Sequence, residues 1–197
     1  MKQVEPLGGH TLTGRFIALE PLEQRHLPAL IDAGRDPSIW TYMPYDVSAG
    51  IGPMLSWHLN ENVEGRMITF AVRRLADGAL VGSTSFLNIV PEHGRVEIGS
   101  TWYTPQAQAT AVNPEAKYLL FGHAFGANYN RVELKTDSKN SRSRAAMTKM
   151  GAREEGTLRS HMWVPQGYFR DTVYFSVIAS EWPALKAKFE VRLAAFS

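Results

Sequence analysis

The sequence predicts an α/β fold, a mixed sheet with helices on both faces, and two observations lead to this prediction. In the first half, strands predicted over residues 67–74 and 80–89 flank Asp77-Gly78, a dipeptide typical of tight hairpin turns. In the second half, helical and strand-like spacings alternate, as they do in a βαβα unit. An antiparallel meander that continues into such a unit is typical of a mixed sheet.

The remaining elements follow from hydrophobic spacing and from turn residues. A helix over residues 23–33 is predicted because Leu27, Leu30 and Ile31 share one face, and Gly151 is a natural stop for a helix over 140–150. The other predicted helices cover residues 52–62, 114–127 and 181–193. Together with the hairpin, strands over residues 15–20, 96–103, 131–136, 155–163 and 169–178 give a sheet of about seven strands.

Composition predicts one domain over residues 1–197, since 44% hydrophobic content suits a substantial core. A net charge of +2, from 21 basic and 19 acidic residues, argues against nucleic-acid or membrane-surface binding. Cysteine is absent, which excludes disulfides and Cys nucleophiles and is typical of a reducing compartment. Residues 1–10 contain no apolar signal core and no run is long enough to span a bilayer, so we expect a cytoplasmic protein. The histidines show no ligand-like spacing, so no metal is expected.

Residues 97–117 predict an anion site, because a strand is followed by a turn of small residues and then by a helix. The first N–H groups of a helix have no partner inside it, and the helix dipole places partial positive charge there. A phosphate can bind those groups if the turn lets it approach. We expect Asn113 as N-cap, Pro114 at the first helical position and Lys117 as an added charge. The small turn residues are Ala107, Ala109, Thr110 and Ala111.

Four segments, in this order and spacing, resemble GNAT superfamily N-acetyltransferases of the RimJ/RimL type. They are Glu-Ile-Gly-Ser-Thr-Trp at residues 97–102, Gln-Ala-Gln-Ala-Thr-Ala at 106–111, the strand, loop and helix start at 131–143, and Met-Gly-Ala-Arg-Glu-Glu-Gly at 150–156 before Arg170-Asp171. The resemblance implies a GNAT-like, mostly antiparallel sheet. One departure concerns the loop, where Ala109 stands at the position of the family's first glycine.

The resemblance also implies the reaction and the cofactor. Such enzymes transfer acetyl from acetyl-CoA to a primary amine by direct attack through a tetrahedral intermediate. The expected coenzyme A contacts are Trp102, Tyr103, Thr104, Gln108, Ala109, Thr110, Ala111, Val112, Asn113, Lys117, Asn140, Ser143 and Arg144. Arg142 is an alternative to Arg144. A protein that keeps the fold but only binds acyl-CoA is the alternative function. The Ala109 loop motivates it, as does the lack of a Glu at residues 161–163, where some relatives have one as the base.

The chemistry needs a base, since an alkyl amine with a pKa of about 10 is protonated at neutral pH. Glu97 on the cofactor strand and His161 are the two candidates, and a water chain without an essential base is a third possibility. By resemblance, Ser143 is expected to assist the departing thiolate, with Asn140 on the pantetheine amides. Both side chains also suit an ordinary helix N-cap.

The amine acceptor is expected among large side chains, and the resemblance places the segment of Trp40, Tyr42 and Tyr45 on the acceptor side. The candidates are Trp40, Tyr42, Phe86, Asn88 and Trp163, with Tyr45 and Tyr168 nearby. Such aromatics are also typical of a core or an interface. The acceptor can be a peptide or protein N-terminus or a small amine, and a homodimer is expected by analogy with many relatives.

Overall fold

A computed structural model of the chain describes residues 3–196; Met1, Lys2 and Ser197, which the predicted domain includes, lie outside the described residues. The strands are β1 (Leu12–Thr13), β2 (Ile17–Pro21), β3 (Ile68–Arg74), β4 (Leu80–Val90), β5 (Arg95–Tyr103), β6 (Arg131–Asp137), β7 (Arg153–Val164) and β8 (Tyr168–Ile178). The helices are α1 (Leu27–Ala33), α2 (Gly52–Val63), α3 (Val112–Gly126), α4 (Ser141–Met150) and α5 (Trp182–Ala194). None of these helices is long and apolar enough to cross a bilayer, among the residues described.

The strands form one sheet in the order β1-β2-β3-β4-β5-β6-β8-β7. Every neighbouring pair is antiparallel except β5 and β6, which run parallel. The predicted mixed, mostly antiparallel sheet is therefore confirmed. The eighth strand is β1, whose two residues are too few to produce a periodic pattern in the sequence.

The parallel pair β5–β6 separates after a short contact. Pairing covers only Arg95 to Glu97 on β5 with Arg131 to Glu133 on β6. Beyond it, β5 runs on to Tyr103 and β6 to Asp137 without pairing to each other. The sheet therefore opens between the carboxyl ends of these two strands, and the edges that face the opening keep backbone groups free of sheet pairing.

Helices cover both faces of the sheet and enclose two hydrophobic clusters. Phe70 and Ala71 are neighbours on β3 but belong to different clusters, as the alternation of side chains along a strand requires. Helices α3 and α5 pack on one face, through Leu120 and Leu185 for example. Helices α1 and α2 pack on the other face, through Leu30 and Leu55.

The carboxylate of Glu115 fixes helix α3 against β2. Its two oxygens accept the backbone N–H groups of Arg15 at 2.7 Å, Phe16 at 2.7 Å and Ile17 at 2.8 Å. Charge-assisted hydrogen bonds of this kind are roughly twice as strong as neutral ones. The amino-terminal end of α3 is therefore held firmly where β5 ends.

Candidate functional site

The loop between β5 and α3 carries the predicted anion site, but the helix begins earlier than expected. Helix α3 starts at Val112, and Ala111 already has helical angles of φ −65° and ψ −18°. The predicted N-cap at Asn113 is therefore wrong. Thr110 provides the local hydrogen bonds instead: its hydroxyl donates to the Ala107 carbonyl at 2.7 Å and accepts the Val112 N–H at 3.3 Å. A threonine hydroxyl can support a helix start as asparagine does.

Three consecutive N–H groups in front of α3 are left without a backbone partner. Within residues 3–196, no carbonyl accepts the N–H of Ala109, Thr110 or Ala111. Ala109 has φ +60°, the left-handed region that glycine adopts most easily. Loop residues in this conformation can aim successive N–H groups at one anion. The backbone here thus has the geometry of a phosphate-binding turn, although its first glycine position holds alanine.

Gln108 joins this loop to the end of β5 and to Arg142. Its Nε2 donates to the Tyr103 carbonyl at 3.0 Å, and its Oε1 accepts from Arg142 Nη1 at 2.8 Å. Arg144, which the sequence favoured, points elsewhere and pairs with Glu154 at 3.3 Å. Residues two apart on a helix face different directions, so only one of the two arginines can lie at the loop.

The side chain of Lys117 points toward the sheet rather than toward the loop. Its side chain is buried, and Nζ donates to Thr101 Oγ1 at 2.9 Å. The hydroxyl of Thr101 also lies 2.7 Å from that of Thr84. Burial lowers the pKa of Lys117 to about 7, and the charge of Glu97 opposes this shift. In this structure Lys117 therefore contacts β5, and its charged group does not face the phosphate-binding turn.

A β-bulge interrupts β5 at the level of the opening. Ser100 and Thr101 together face Thr84 of β4, and Ser100 has φ +46°. Such a bulge turns backbone groups out of the ladder and is common beside active sites. The hydroxyl groups of Tyr45 and Ser100 form a hydrogen bond across it. Burial raises the pKa of Tyr45, so this phenol remains protonated at neutral pH.

Glu97 is a buried carboxylate just before the bulge and is only 1% exposed. Its Oε2 accepts from Asn88 Nδ2 at 2.7 Å and from Lys135 Nζ at 3.0 Å. Its Oε1 is buried and has no hydrogen-bond partner among the described residues. A buried, unpaired carboxylate oxygen is costly, so this atom is available to a donor from a ligand or from water.

The structure does not bring His161 to Glu97. His161 lies exposed on the edge strand β7, with Nδ1 3.0 Å from Thr172 Oγ1, and strands β6 and β8 separate β7 from β5. Asn140 and Ser143 do lie together, at the start of α4. Asn140 is the N-cap, and its Oδ1 accepts the Ser143 N–H at 3.0 Å. The Asn140 NH₂ group remains available as a donor beside the carboxyl end of β6.

The aromatic residues expected around the acceptor divide into core and surface. Phe86 is fully buried beside Phe70 on the α3 face, so it cannot line an acceptor pocket in this structure. Trp40 is 4% exposed, packs 5.3 Å from Trp102 and donates its Nε1–H to the Gly34 carbonyl at 2.8 Å. It anchors the segment rather than the ligand. The sequence cannot separate these cases, since aromatics serve both roles.

Among the other expected contacts, some side chains are exposed to solvent, and others can offer a ligand only their backbone. Tyr42 is 38% and Trp163 60% exposed. Trp102 and Tyr103 are buried, so only their backbone can face the opening. Burial of the Tyr103 hydroxyl raises its pKa.

One side chain that the sequence did not single out as a ligand contact is Arg170 on β8. It is 3% exposed and forms no ion pair with any described carboxylate, and burial lowers its pKa. The sequence around it, Phe169-Arg170-Asp171, does not show that this arginine is buried. The burial of Arg170 becomes clear only from the position of its side chain in the folded sheet. No group of three or more His, Asp or Glu side chains that could hold a metal ion occurs in the described part of the chain.

The split parallel pair, the bulge and the turn before α3 together define an acyl-transferase architecture. Residues 17–153 match the family model described as the acetyltransferase (GNAT) domain. The chain therefore belongs to the GNAT family of acetyltransferases.

Solved structures and a curated relative agree with this assignment. A GCN5-related N-acetyltransferase from Brucella melitensis is 32% identical, with a TM-score of 0.91 over 98% of this chain and 90% of that one. The Bacillus subtilis (strain 168) protein YdaF, named as a ribosomal N-acetyltransferase, is 32% identical over 113 residues. That match covers 57% of this chain and 61% of YdaF, less than two thirds of its length. Mycobacterium smegmatis RimJ, solved in complex with CoA-disulfide, shares the fold: 23% identity and a TM-score of 0.80 over 96% of this chain and 97% of that one.

Proposed function

We propose that this protein transfers an acetyl group from acetyl-CoA to a primary amine. The observation that carries the proposal is the row of unpartnered N–H groups at Ala109, Thr110 and Ala111, which lies in front of α3 beside the opened strands. Backbone donors at the positive end of a 15-residue helix suit a diphosphate better than any neutral group. The family membership of the chain supports coenzyme A as the source of that diphosphate.

The residues around the opening fit the rest of this cofactor. The turn from Gln108 through Asn113 would hold the diphosphate, with Arg142 as the nearest cation. The free edge of β5 at Trp102, Tyr103 and Thr104 would pair with the amides of the pantetheine arm, as an added strand does. The Asn140 NH₂ group is a further donor on the β6 side. When bound, acetyl-CoA supplies a thioester carbonyl that an amine can attack.

Glu97 is the base that this geometry favours. Lys135 and Asn88 orient its carboxylate through Oε2, which leaves Oε1 to accept a proton from the amine, directly or through a water. The bulge at Ser100 exposes backbone donors where the thioester oxygen would develop charge. The carbonyl carbon gains a bond to nitrogen and loses its bond to sulfur, and the Ser143 hydroxyl would assist the departing thiolate.

Binding and turnover test the proposal separately. We expect calorimetry to detect acetyl-CoA binding, and acetyl-pantetheine, which lacks the diphosphate, to bind at least about 100-fold more weakly. A thiol-release assay over peptides, amino acids and polyamines should then reveal an acceptor. Equal affinity for the two thioesters would contradict the phosphate turn. Binding of acetyl-CoA without turnover of any amine would favour a non-catalytic acyl-CoA-binding module.

Replacement of Ser143 tests the step at the sulfur. We expect Ser143→Ala to lower kcat about tenfold or more while acetyl-CoA affinity changes less than twofold, since a leaving-group donor acts in the transition state. Steady-state kinetics beside calorimetry measures both. Ser141→Ala, an exposed position in the same first turn, is the matched control. Wild-type turnover in Ser143→Ala would remove this residue from the mechanism.

A further inference from the structure

Two buried charged groups on one face of the sheet lack a complete set of partners. The first is the guanidinium of Arg170, whose Nε donates to Thr172 Oγ1 at 3.0 Å and which has no carboxylate at salt-bridge distance among the described residues. The second is Glu97, whose Oε1 is buried and unpaired. Buried charges of this kind are normally paired, because removal from water without compensation is costly.

Asp137 is the carboxylate whose charge acts most strongly on Arg170, but its oxygens bind other donors. Oδ2 accepts from the Tyr168 hydroxyl at 2.5 Å, and Oδ1 accepts the Lys139 N–H at 2.8 Å. The guanidinium therefore feels the charge of Asp137 without forming an ion pair with it. Burial outweighs this attraction and lowers the pKa of Arg170. A negatively charged ligand would provide the partner that the protein does not.

Both groups face the side of the sheet on which α1 and α2 pack. Val173 and Phe175 of β8 pack into the cluster under α3, so the alternate residues Arg170 and Thr172 face the opposite side. Val96 and Ile98 of β5 belong to the same cluster, so Glu97 also faces the opposite side. Only strand β6 lies between β5 and β8, so the two charges face the same side of the sheet with one strand between them.

We propose that Arg170 and Glu97 form the two ends of an acceptor subsite for a free amino acid, with the guanidinium on its carboxylate and Glu97 at its amine. This inference rests on the proposed function and specifies its acceptor. The fork of an arginine matches a carboxylate with two parallel hydrogen bonds, which gives recognition as well as attraction. In the reaction the amine gives its proton to Glu97, nitrogen takes the acetyl group, and coenzyme A leaves as the thiolate.

The test compares acceptors that differ only in the carboxylate. Initial rates are measured for the common L-α-amino acids and for the corresponding amino-acid amides, with acetyl-CoA at saturation. We expect the best acid to exceed its amide by about 10- to 100-fold in kcat/KM, the range that one charged hydrogen-bonded contact supplies. A peptide amide that is acetylated faster than every free amino acid would overturn the inference and leave acetyl transfer standing.

Variants then assign the preference to Arg170. We expect Arg170→Met to abolish the preference for the acid, and Arg170→Lys to retain part of it, since lysine keeps the charge but loses the fork. Arg159→Met is the control, because Arg159 is exposed on β7. A preference for the acid that persists in Arg170→Met would overturn the proposal. If that variant does not fold, the acid-to-amide ratios of kcat/KM for Arg170→Lys and for wild type still decide whether Arg170 sets the preference.

A binding experiment separates this inference from failure of the reaction itself. In the presence of coenzyme A, the N-acetyl-L-amino acid of each acceptor and its amide are titrated into the wild-type protein by calorimetry. We expect the acid to bind about tenfold more tightly or better. Equal binding of acid and amide, or no binding of either, would overturn the subsite even if other amines are acetylated. Tight binding of the acid without turnover would contradict acetyl transfer but support the subsite.

Discussion

Ala109 holds a backbone conformation that alanine adopts only at a cost. Its φ of +60° disfavours any residue with a Cβ by about 1–2 kcal/mol, and glycine avoids that penalty although its unfolded chain is more flexible. We expect Ala109→Gly to raise the free energy of unfolding by up to about 1 kcal/mol and to tighten acetyl-CoA binding. Urea denaturation and calorimetry measure the two effects.

Ala107 provides the control for that substitution. It is buried and lies in the short 3₁₀ turn Pro105–Ala107, where glycine relieves no left-handed conformation. Ala107→Gly should therefore lower stability by about 1 kcal/mol. A loss of stability in Ala109→Gly similar to that in Ala107→Gly would show that Ala109 is not strained.

Lys117 should give the stability of the protein a characteristic pH dependence. Burial lowers the pKa of Lys117 from 10.5 to about 7, so between these values the unfolded chain holds a proton that the folded chain lacks. Stability from this group therefore rises with pH across that window. We expect wild type to gain about 3 kcal/mol relative to Lys117→Met between pH 7 and pH 9.5, by urea denaturation. Lys149→Met, at an exposed helix position, should leave the rise intact; the same rise in Lys117→Met would contradict the assignment.

Single residues show where sequence reasoning succeeds and where it stops. The small residues around Ala109 identified the turn, because only small side chains leave a backbone open to a ligand. The direction of the Lys117 side chain could not be predicted, because it depends on the residue at which α3 begins. The burial of Phe86 and of Arg170 could not be predicted for a related reason, because burial depends on strands that are distant in the sequence.

At the scale of elements, the start of α4 tests whether a cap residue is also a cofactor contact. Asn140→Ala removes the cap and should cost about 1 kcal/mol of stability, whereas Asn140→Asp keeps an acceptor for the Ser143 N–H. Aspartate, however, lacks the NH₂ donor. We therefore expect Asn140→Asp to unfold like wild type and to bind acetyl-CoA about five- to tenfold more weakly. Wild-type affinity in this variant would reduce Asn140 to a cap alone.

The elements themselves were largely predictable, and the exceptions have physical causes. Asp77-Gly78 marked the β3–β4 hairpin because its turn requires a positive φ, which Gly78 adopts at +72°. The start of α3 was misplaced by two residues because Asn113 and Pro114 both suit a helix start, and the hydrogen bonds of Thr110 decided otherwise. The bulge at Ser100 could not be predicted from the spacing of residues, because it arises from the register of β5 with β4.

At the scale of the whole molecule, the opening that admits a cofactor also weakens the connection between the two halves of the sheet. Strands β1 to β5 meet strands β6, β8 and β7 through only three paired residues on each side. A contact between the last hairpin and the segment after α1 compensates for part of this loss. Gln166, in the turn between β7 and β8, donates through Nε2 to the Trp40 carbonyl at 3.1 Å and the Met43 carbonyl at 3.2 Å. The last hairpin is thereby tied to the segment that contains Tyr42.

Loss of this contact should affect the acceptor and spare the cofactor. We expect Gln166→Ala to raise the KM for the amine several-fold, because each hydrogen bond contributes about 1 kcal/mol to holding the acceptor side in place. Acetyl-CoA affinity should not change, since the turn before α3 makes no contact with Gln166. Steady-state kinetics with each substrate varied in turn measures both values, and Gln24→Ala, exposed before α1, is the control. The proposed cofactor and acceptor sites lie on either side of the opening. An unchanged KM for the amine, or an equal loss of acetyl-CoA affinity, would therefore contradict this separation.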